Sequence, residues 1–363
     1  MFLQPKKIDW YIFKKFMGTF FASLFLIIGI VIIFDISEKI DDFVEKKAPL
    51  NAIIFDYYLN FIPYFINMYS PMFVFISVIF FTSKLASNSE IVAILSGGVS
   101  FHRMMRPYML AASLIALLSL GLNLYIIPES NKDKLEFEQK FLKEKPKASS
   151  RNIHYQVSPG EFVYAESFSS WNNTAYKFTI EKIQDSKLIS KISAETAVYD
   201  TLKGSWRLKK YFIREFNDDL TDNIRSGRQL DTVIPLSVKD FYFSENTVTT
   251  LNYDELNEMI EIQSMRGDAN VKYALIEKHT RFALPFSAFV LTIIGVALSS
   301  KKRRGGIGWN IALGIALAFT YILFMRFSQM FVHTDALSPA VALWLPNILY
   351  TIIAIVLYRL APK

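Results

Sequence analysis

The sequence contains no cysteine, so it can form neither disulfide bonds nor thiolate metal sites, and cysteine usage does not indicate a redox compartment. It has only four histidines, which form no metal-binding pattern. The G-x-x-x-x-G-K-[ST] motif that cradles nucleotide phosphates is also absent, because the glycine-rich stretch 305–308 lacks the lysine and hydroxyl residue that must follow. No pair of nucleophile and base stands out. We therefore expect no catalytic residues, no metal and no cofactor in this chain.

Charged residues make up only 20% of the chain, and apolar residues are concentrated in long blocks. Of the 363 residues, 52% are hydrophobic and 15% are aromatic, and the mean hydropathy of +0.25 is high for a soluble domain. The fold class predicted is therefore membrane α-helical, with six transmembrane helices. The first block is followed by no small-residue cleavage pattern, so we expect it to stay as a permanent span. The six blocks cover residues 16–34, 58–81, 107–127, 278–299, 307–331 and 339–360.

The stretch between the third and fourth blocks has no segment apolar enough to cross a membrane. Apolar and polar residues alternate there, and turn residues bound the alternating runs. This pattern predicts an inserted antiparallel β domain with one buried face. A helix at 253–265 closes it. The predicted domains are transmembrane helices 1–3 (1–128, with Pro128 ending the third span), the β domain (129–266) and transmembrane helices 4–6 (267–363).

The basic residues lie beside the apolar blocks, which accounts for the net charge of +7 without a nucleic-acid partner. They concentrate near the N-terminus, at 84–106, at 301–304 and at the C-terminus, whereas the first loop is net acidic. The positive-inside rule then places both termini in the cytoplasm and the β domain outside.

A short basic stretch between the second and third blocks is predicted to form a helix at 85–97 that lies flat on the cytoplasmic side. Ser87 and Ser89 can cap this helix. Gly97 and Gly98 end it, because glycine takes the left-handed conformation that a helix terminus needs. Ser100 can cap the next helix.

One face of this docking helix is apolar and carries a single acid. Ile91, Ile94 and Leu95 share the face, and exposed apolar side chains need a partner surface. Glu90 either pairs with a basic residue of that partner or only favours its own helix N-terminus through the helix dipole. A membrane protein with a docking helix and no energy source of its own suggests a permease driven by a separate ATPase.

Several segments resemble the LptF/LptG family of lipopolysaccharide export permeases. They are Ser-Pro-Met at 70–72, KLASNSEI at 84–91, GGVS at 97–100, EKHTRFALP at 277–285 and LWLPN at 343–347. The opening IDWYI at 8–12 is similar to the G-type subunit. The resemblance runs over nearly the whole chain.

The resemblance implies an inner-membrane permease that extracts lipopolysaccharide from the bilayer. A second permease subunit of the F type and a cytoplasmic ABC ATPase dimer, which binds ATP and Mg, are the implied partners. The inserted domain would be a periplasmic β-jellyroll that passes the lipid to further β-jellyroll proteins, including a component with a single span. Glu90 matches the acid of the family's coupling helix, and spans one and five line the cavity and its gate.

Three charged residues are candidates for the gate or for the lipid headgroup. Arg326 lies toward the outer end of span five among apolar neighbours, where an unpaired guanidinium is costly. Asp35 and Glu38 lie at similar depth on span one. Arg326 would pair with one of these acids in a closed gate or receive the lipid's phosphate in an open one. The alternative is that it extends to the headgroups without a specific partner.

An aromatic and β-branched stripe in the β domain could hold acyl chains. Tyr176, Phe178 and Ile180 alternate with polar residues along one strand. The alternative is that the stripe is simply part of the domain's core.

Two other functions fit the same pattern. The first is a permease for another amphipathic envelope lipid or a lipoprotein, because acyl chains demand only an apolar cavity. The second is a membrane sensor with an external β domain. Sensors of that kind usually carry a cytoplasmic output domain, whereas every cytoplasmic segment predicted here is short.

Overall fold

The computed structural model describes residues 7–142, 151–169, 171–201, 203–216, 222–241, 245–268, 270–300 and 306–361. By length and composition, six helices in these ranges can cross a membrane, which confirms the predicted fold class. The short helix α3 lies between the second and third of them. Besides two single-turn helices at Val238–Phe241 and Glu245–Val248, the helices are α1 (Lys7–Glu45), α2 (Leu50–Ser87), α3 (Glu90–Ser96), α4 (Phe101–Phe141), α5 (Tyr253–Met265), α6 (Val271–Ser299), α7 (Gly306–His333) and α8 (Pro339–Leu360).

The third membrane helix continues well beyond the residue at which we expected it to end. Pro128 lies inside α4, which runs on to Phe141, so this proline does not end the helix, and the end of the membrane span at Pro128 stays a prediction. Proline removes a backbone N–H from the regular helical ladder. Here the turn directly before it, Leu122–Ile126, is π-helical, so that ladder is already interrupted at this point. A second π-helical turn, Ile53–Tyr58, lies near the start of α2.

Helix α2 is central to the bundle because it belongs to two apolar clusters. One cluster joins it to α1, α3 and α4, and the other joins it to α6, α7 and α8. Gly314 of α7 lies so close to α2 that a Cβ there would be 2.3 Å from Ile79 Cδ1. A small residue at this position therefore lets two membrane helices pack tightly, as is common in bilayers.

The inserted domain contains one antiparallel sheet of six strands in the order β1-β2-β3-β4-β5-β6. Each strand pairs with its neighbours in the sequence, so β1 and β6 form the two edges of the described sheet. The strands are β1 (Arg151–Ser158), β2 (Glu161–Ser169), β3 (Thr174–Gln184), β4 (Lys187–Asp200), β5 (Ser205–Phe216) and β6 (Asp222–Thr232).

A charged row crosses the sheet and interrupts the alternation of buried residues. In β3 the next buried residue after Ala175 is Phe178, three positions on instead of two. The intervening Lys177 has a left-handed backbone (φ 48°) and pairs with Glu166 of β2. Lys210 of β5 repeats the arrangement with φ 50° and a 2.5 Å ion pair to Glu195. The break in alternation explains why Tyr176 is 38% exposed although it shares the predicted stripe.

The apolar face of the sheet is covered by the chain that follows β6. Trp206 is fully buried and donates a hydrogen bond from Nε1 to the carbonyl oxygen of Leu236, at 2.8 Å. Phe241 stacks on Phe168 with ring centroids 4.3 Å apart. Residues 233–241 therefore close one side of the core around Trp206.

The first hairpin turn is fastened to β3. A Cβ at Gly160 (φ 79°) would be 2.5 Å from the carbonyl oxygen of Ile183, so only glycine fits there. Lys182 pairs with Glu161 at 2.5 Å, and Ser158 donates to the same carboxylate at 2.9 Å. Both contacts hold the pKa of Glu161 below its usual value, so their contribution to stability is lost on acidification through that lowered pKa.

The chain divides into two compact units. The bundle unit contains the residues up to Phe141, the stretch Thr249–Tyr253 and the residues from Leu275 onward. The β unit contains Leu142–Val248 and Asp254–Ala274. The division follows Phe141 instead of Pro128 because α4 stays helical through Pro128 as far as Phe141. The sequence did not predict that the stretch Thr249–Tyr253 belongs to the bundle unit.

A polypeptide of residues 142–274 should fold alone into a mainly β domain, because the core around Trp206 is complete within it. Circular dichroism should show strand, with a near-ultraviolet signal that Trp206→Phe removes. Trp171→Phe is the control. It should leave the near-ultraviolet signal unchanged, because Trp171 is 89% exposed and contributes little to that signal. Open edge strands can cause some association. A mainly helical spectrum would contradict the prediction.

Candidate functional site

The docking segment, defined here as residues 84–103, contains a short helix between two membrane helices. This helix is shorter than the predicted 85–97, because α2 continues to Ser87. α3 starts after Ser89 and ends before Gly97. Gly98 has the expected left-handed conformation (φ 83°), and Ser100 caps α4 by accepting a hydrogen bond from the Arg103 N–H at 3.3 Å. Ser89 does not cap α3 as predicted. Its own backbone is left-handed (φ 62°), and its side chain makes no capping hydrogen bond.

The apolar face of α3 points into its own bundle. Ile91 is 1% exposed and belongs to one cluster with Ile12 and Phe16 of α1. Ile94 and Leu95 are half-buried against the same cluster. The argument that these three side chains need an external partner was therefore wrong for Ile91, and for Ile94 and Leu95 it stays a prediction. Neighbouring helices of the same chain supply most of that surface.

The opposite face of α3 is open. Val92 is 56% exposed, and Ala93, Ser96, Gly97 and Gly98 are exposed beside it. These side chains are small, so a partner can approach the α3 backbone closely. Small residues between larger apolar ones were the signal that the sequence analysis overlooked.

Glu90 stands at the first turn of α3 and is half-buried. Its Oε2 accepts a hydrogen bond from the Tyr11 hydroxyl at 3.0 Å, and its Oε1 accepts one from the Asn88 side chain at 3.2 Å. Both donors are neutral, so the carboxylate has hydrogen bonds but no cationic partner among these contacts. Its proposed pairing with a basic residue of a partner stays a prediction.

A bidentate ion pair lies just after the docking helix. Arg103 Nη1 and Nη2 donate to the two carboxylate oxygens of Asp9 at 2.6 and 2.5 Å. The pair joins the first turn of α4 to the start of α1, and sequence spacing gave no sign of it.

Asp35, predicted to pair with Arg326, has other partners in this structure. Lys39 lies one helical turn further along α1 and binds the Asp35 carboxylate at 2.5 Å. The hydroxyl of Tyr58, from the π-helical turn of α2, donates to the same carboxylate at 3.0 Å, and that of Tyr57 lies 3.4 Å away. The predicted Asp35–Arg326 pair is therefore not formed here, because a nearer cation neutralises the acid. Glu38 is exposed.

Arg326 is exposed on α7 and, within the part of the chain that the structure describes, makes two weak polar contacts. Its guanidinium lies 3.5 Å from Gln329 Oε1 and 3.5 Å from Met68 Sδ. Neither contact neutralises the charge, so the group can still meet an anion that approaches from outside the chain.

The most deeply buried charged side chain among the described residues was not one of the predicted site residues. Arg281 of α6 is 1% exposed, and its guanidinium donates to Glu277 and to the carbonyl oxygen of Leu251, both at 2.8 Å. Asn131 of α4 donates to the carbonyl oxygen of Thr249 at 3.2 Å. Two buried polar side chains thus hold the stretch Thr249–Tyr253 against the bundle.

Comparison of the sequence with models of protein families gives a match over nearly the whole chain. The model for the lipopolysaccharide export system permease LptF/LptG matches residues 10–360, nearly the entire sequence. The chain belongs to the LptF/LptG family. A comparison with individually curated proteins finds no match.

Membership of the LptF/LptG family gives the chain a role as a multi-pass inner-membrane permease of lipopolysaccharide export. Such a permease is a transporter subunit and not an enzyme. The basic cluster at 301–304, used to predict the orientation, lies outside the described residues. The similarity of residues 8–12 to the G-type subunit stays a prediction.

In this LptF/LptG permease, the stripe predicted to hold acyl chains is divided between core and surface. Phe178 and Ile180 are buried, and Phe178 stacks on Trp206 with ring centroids 5.5 Å apart. Tyr176 points outward, and Asn172 donates to its hydroxyl at 3.4 Å. Phe178 and Ile180 are therefore core residues here, as the alternative interpretation held.

Arg326→Glu should impair lipopolysaccharide export by this LptF/LptG permease, because it replaces an exposed cation with an anion that repels lipid phosphate. Asp35→Arg added to it should not restore export, since Asp35 is neutralised by Lys39. Export is measured as lipopolysaccharide reaching the outer membrane, with Gln329→Ala as the control beside Arg326. Normal export by Arg326→Ala would remove any role for this residue.

Proposed function

We propose that this chain is the membrane subunit of an ATP-driven complex that extracts lipopolysaccharide from the inner membrane. The observation that carries the proposal is the docking segment, which presents an open, small-residue face and the Glu90 carboxylate between two membrane helices. The chain has no motif for nucleotide phosphates, so the energy comes from a separate ABC ATPase dimer that binds ATP and Mg. The docking segment and both termini then face the cytoplasm, and the β domain faces the periplasm.

A second permease subunit, of the F type, would complete the lipid cavity. Helices α1 and α7 support this, because each carries a row of large apolar side chains that their own bundle leaves uncovered. A bilayer also tolerates such rows, so the partner subunit is a proposal that purification must test. The rows contain Phe21, Phe25, Ile30 and Phe34 on α1, and Ile315, Phe319, Leu323 and Phe327 on α7.

The β domain would pass the lipid to further β-jellyroll proteins in the periplasm. Its support is the pair of edge strands, β1 and β6, which pair on one side only in the described sheet. An unpaired edge offers backbone N–H and C=O groups to an added strand. A single-span component of the same complex would join at this edge or at the lipid cavity.

Affinity purification in mild detergent, followed by mass spectrometry, tests the proposal. We expect a P-loop ATPase and a second permease chain to co-purify, and ATP to release lipopolysaccharide from proteoliposomes that contain the complex. Recovery of neither partner would contradict the ATP-driven complex. Release of a different envelope lipid or a lipoprotein would identify another cargo. A signalling partner in place of the ATPase would favour a sensor.

A further inference from the structure

The start of α1 touches the docking segment on both sides of α3. On the near side, the Tyr11 hydroxyl donates to Glu90, the first residue of α3, at 3.0 Å. On the far side, Asp9 binds Arg103, which lies in the first turn of α4, the helix that follows α3. Between these two contacts Ile12 packs in the same buried cluster as Ile91. Two direct polar contacts and one shared apolar cluster therefore join two segments that lie far apart in the sequence.

The Asp9–Arg103 pair is the most directional of these contacts. It has two parallel hydrogen bonds, and the side chains of Asp9 and Arg103 are only 10% and 20% exposed. A bidentate bond between a guanidinium and a carboxylate fixes both distance and orientation, whereas apolar contacts can slide. Partial shielding from water strengthens the attraction between the two charges. The pair is therefore suited to transmit a displacement.

Helix α1 is the least buried of the six membrane helices in the described chain. Only 22% of its most apolar stretch is buried within the described chain, against 72% for α6. A helix with few buried contacts resists displacement less than a central one. Motion applied at the docking end of α1 therefore meets fewer packed contacts than the same motion of a central helix such as α6.

We propose that Asp9 and Arg103 are positioning residues that make the docking segment and α1 move as one body. The proposal rests on the proposed function, in which an ATPase binds the docking segment. A displacement of α3 by nucleotide binding then reaches the membrane-spanning part of α1 through the ion pair, with Tyr11–Glu90 as a second, neutral link.

Spin-label distances test the rigid connection in the permease without its ATPase. The chain has no cysteine, so Gly18→Cys on α1 and Ser96→Cys on α3 give two unique labels at exposed positions. A Cβ at Gly18 meets no atom within 4 Å. We expect one narrow distance distribution for this parent protein and a clearly broader one after Arg103→Gln. The matched control is Arg106→Gln, which removes an exposed arginine of the same helix and should leave the distribution narrow.

The charge-swapped variant Asp9→Arg with Arg103→Asp should recover the narrow distribution. If the charge-swapped protein does not accumulate, Arg103→Lys is measured in its place. This variant keeps the positive charge and should also give the narrow distribution. A distribution as narrow in Arg103→Gln as in the parent, or equal broadening by Arg106→Gln, would overturn the proposal.

The complete complex gives the functional readout. The proposed ATPase contacts are Glu90 and the open face of α3, whereas Arg103 is engaged by Asp9 of the same chain. Arg103→Gln should therefore still retain the ATPase and hydrolyse ATP, while lipopolysaccharide release per ATP falls about tenfold, within the range typical of coupling between sites. Unchanged release per ATP would overturn the proposal. If the ATPase fails to co-purify with the wild-type chain, the proposed function is wrong, whereas the label distances still decide whether Asp9 and Arg103 fix α1 to the docking segment.

Discussion

Glu90→Lys should leave the permease inserted in the membrane but abolish both its retention of the ATPase and its export of lipopolysaccharide. The carboxylate lies at the first turn of α3, beside the open face that the docking segment presents. Its two hydrogen-bond donors are neutral, so its charge is available for a cation of the partner. A lysine there would repel that cation and would also oppose the helix dipole, which favours an anion at a helix N-terminus.

Two further variants separate docking from local stability. Glu90→Gln keeps an acceptor for Tyr11 and removes only the charge, so it should weaken ATPase retention without disturbing α3. Tyr11→Phe removes the intramolecular hydrogen bond and keeps the charge, so retention should be normal. Co-purification of the ATPase and delivery of lipopolysaccharide to the outer membrane are the measurements. Normal retention and export in Glu90→Lys would refute the coupling role, and equal loss in Tyr11→Phe would assign Glu90 to internal packing.

Arg281→Met should prevent most of the permease from accumulating as folded protein. Arg281 is buried in α6 and holds Glu277 by an ion pair and Leu251 by a hydrogen bond. Removing one partner of a buried pair typically costs about 3–5 kcal/mol, because the remaining charge stays partly shielded from water. The carbonyl oxygen of Leu251 also loses its donor, which frees the stretch Thr249–Tyr253.

The matched variant for this second prediction is Glu277→Gln. A glutamine can still accept the hydrogen bond from Arg281 Nε, and the contact to Leu251 is unchanged, but the buried guanidinium loses its counter-ion. We therefore expect a loss that is smaller than that of Arg281→Met, because both of these hydrogen bonds keep their donor and an acceptor. Size-exclusion chromatography of detergent extracts and thermal unfolding measure both variants, and limited proteolysis near residue 250 reports on the anchored stretch. Wild-type yield and thermal stability in Arg281→Met would show that this buried charge does not hold the fold.

Elements that depend on neighbouring residues could be predicted well from the sequence. The last span was expected at 339–360 and the closing helix at 253–265, and the structure has helices at Pro339–Leu360 and Tyr253–Met265. Hydrophobic length determines a span, and alternation determines a strand, because both arise from side chains a few positions apart. The position of the docking helix was equally local, since Gly98 had to adopt a positive φ.

The sequence was less informative about the site, because a pattern does not show which neighbour covers a side chain. Ile91, Ile94 and Leu95 share a face in any α-helix at this position. Whether that face meets a partner protein or α1 depends on contacts between residues about 80 positions apart. For Asp35, the local candidate Lys39 was one turn away and was overlooked in favour of the distant Arg326.

The sequence by itself determined the number of spans, the place of the inserted β domain and the docking helix, because hydrophobic length, alternation and turn residues act over short distances. Only the tertiary structure decided that Asp9 binds Arg103, that Arg281 anchors Leu251 and that α3 turns its small residues outward. The physical reason is that a buried charge must find a partner. Packing of helices distant in the sequence decides which partner is within reach.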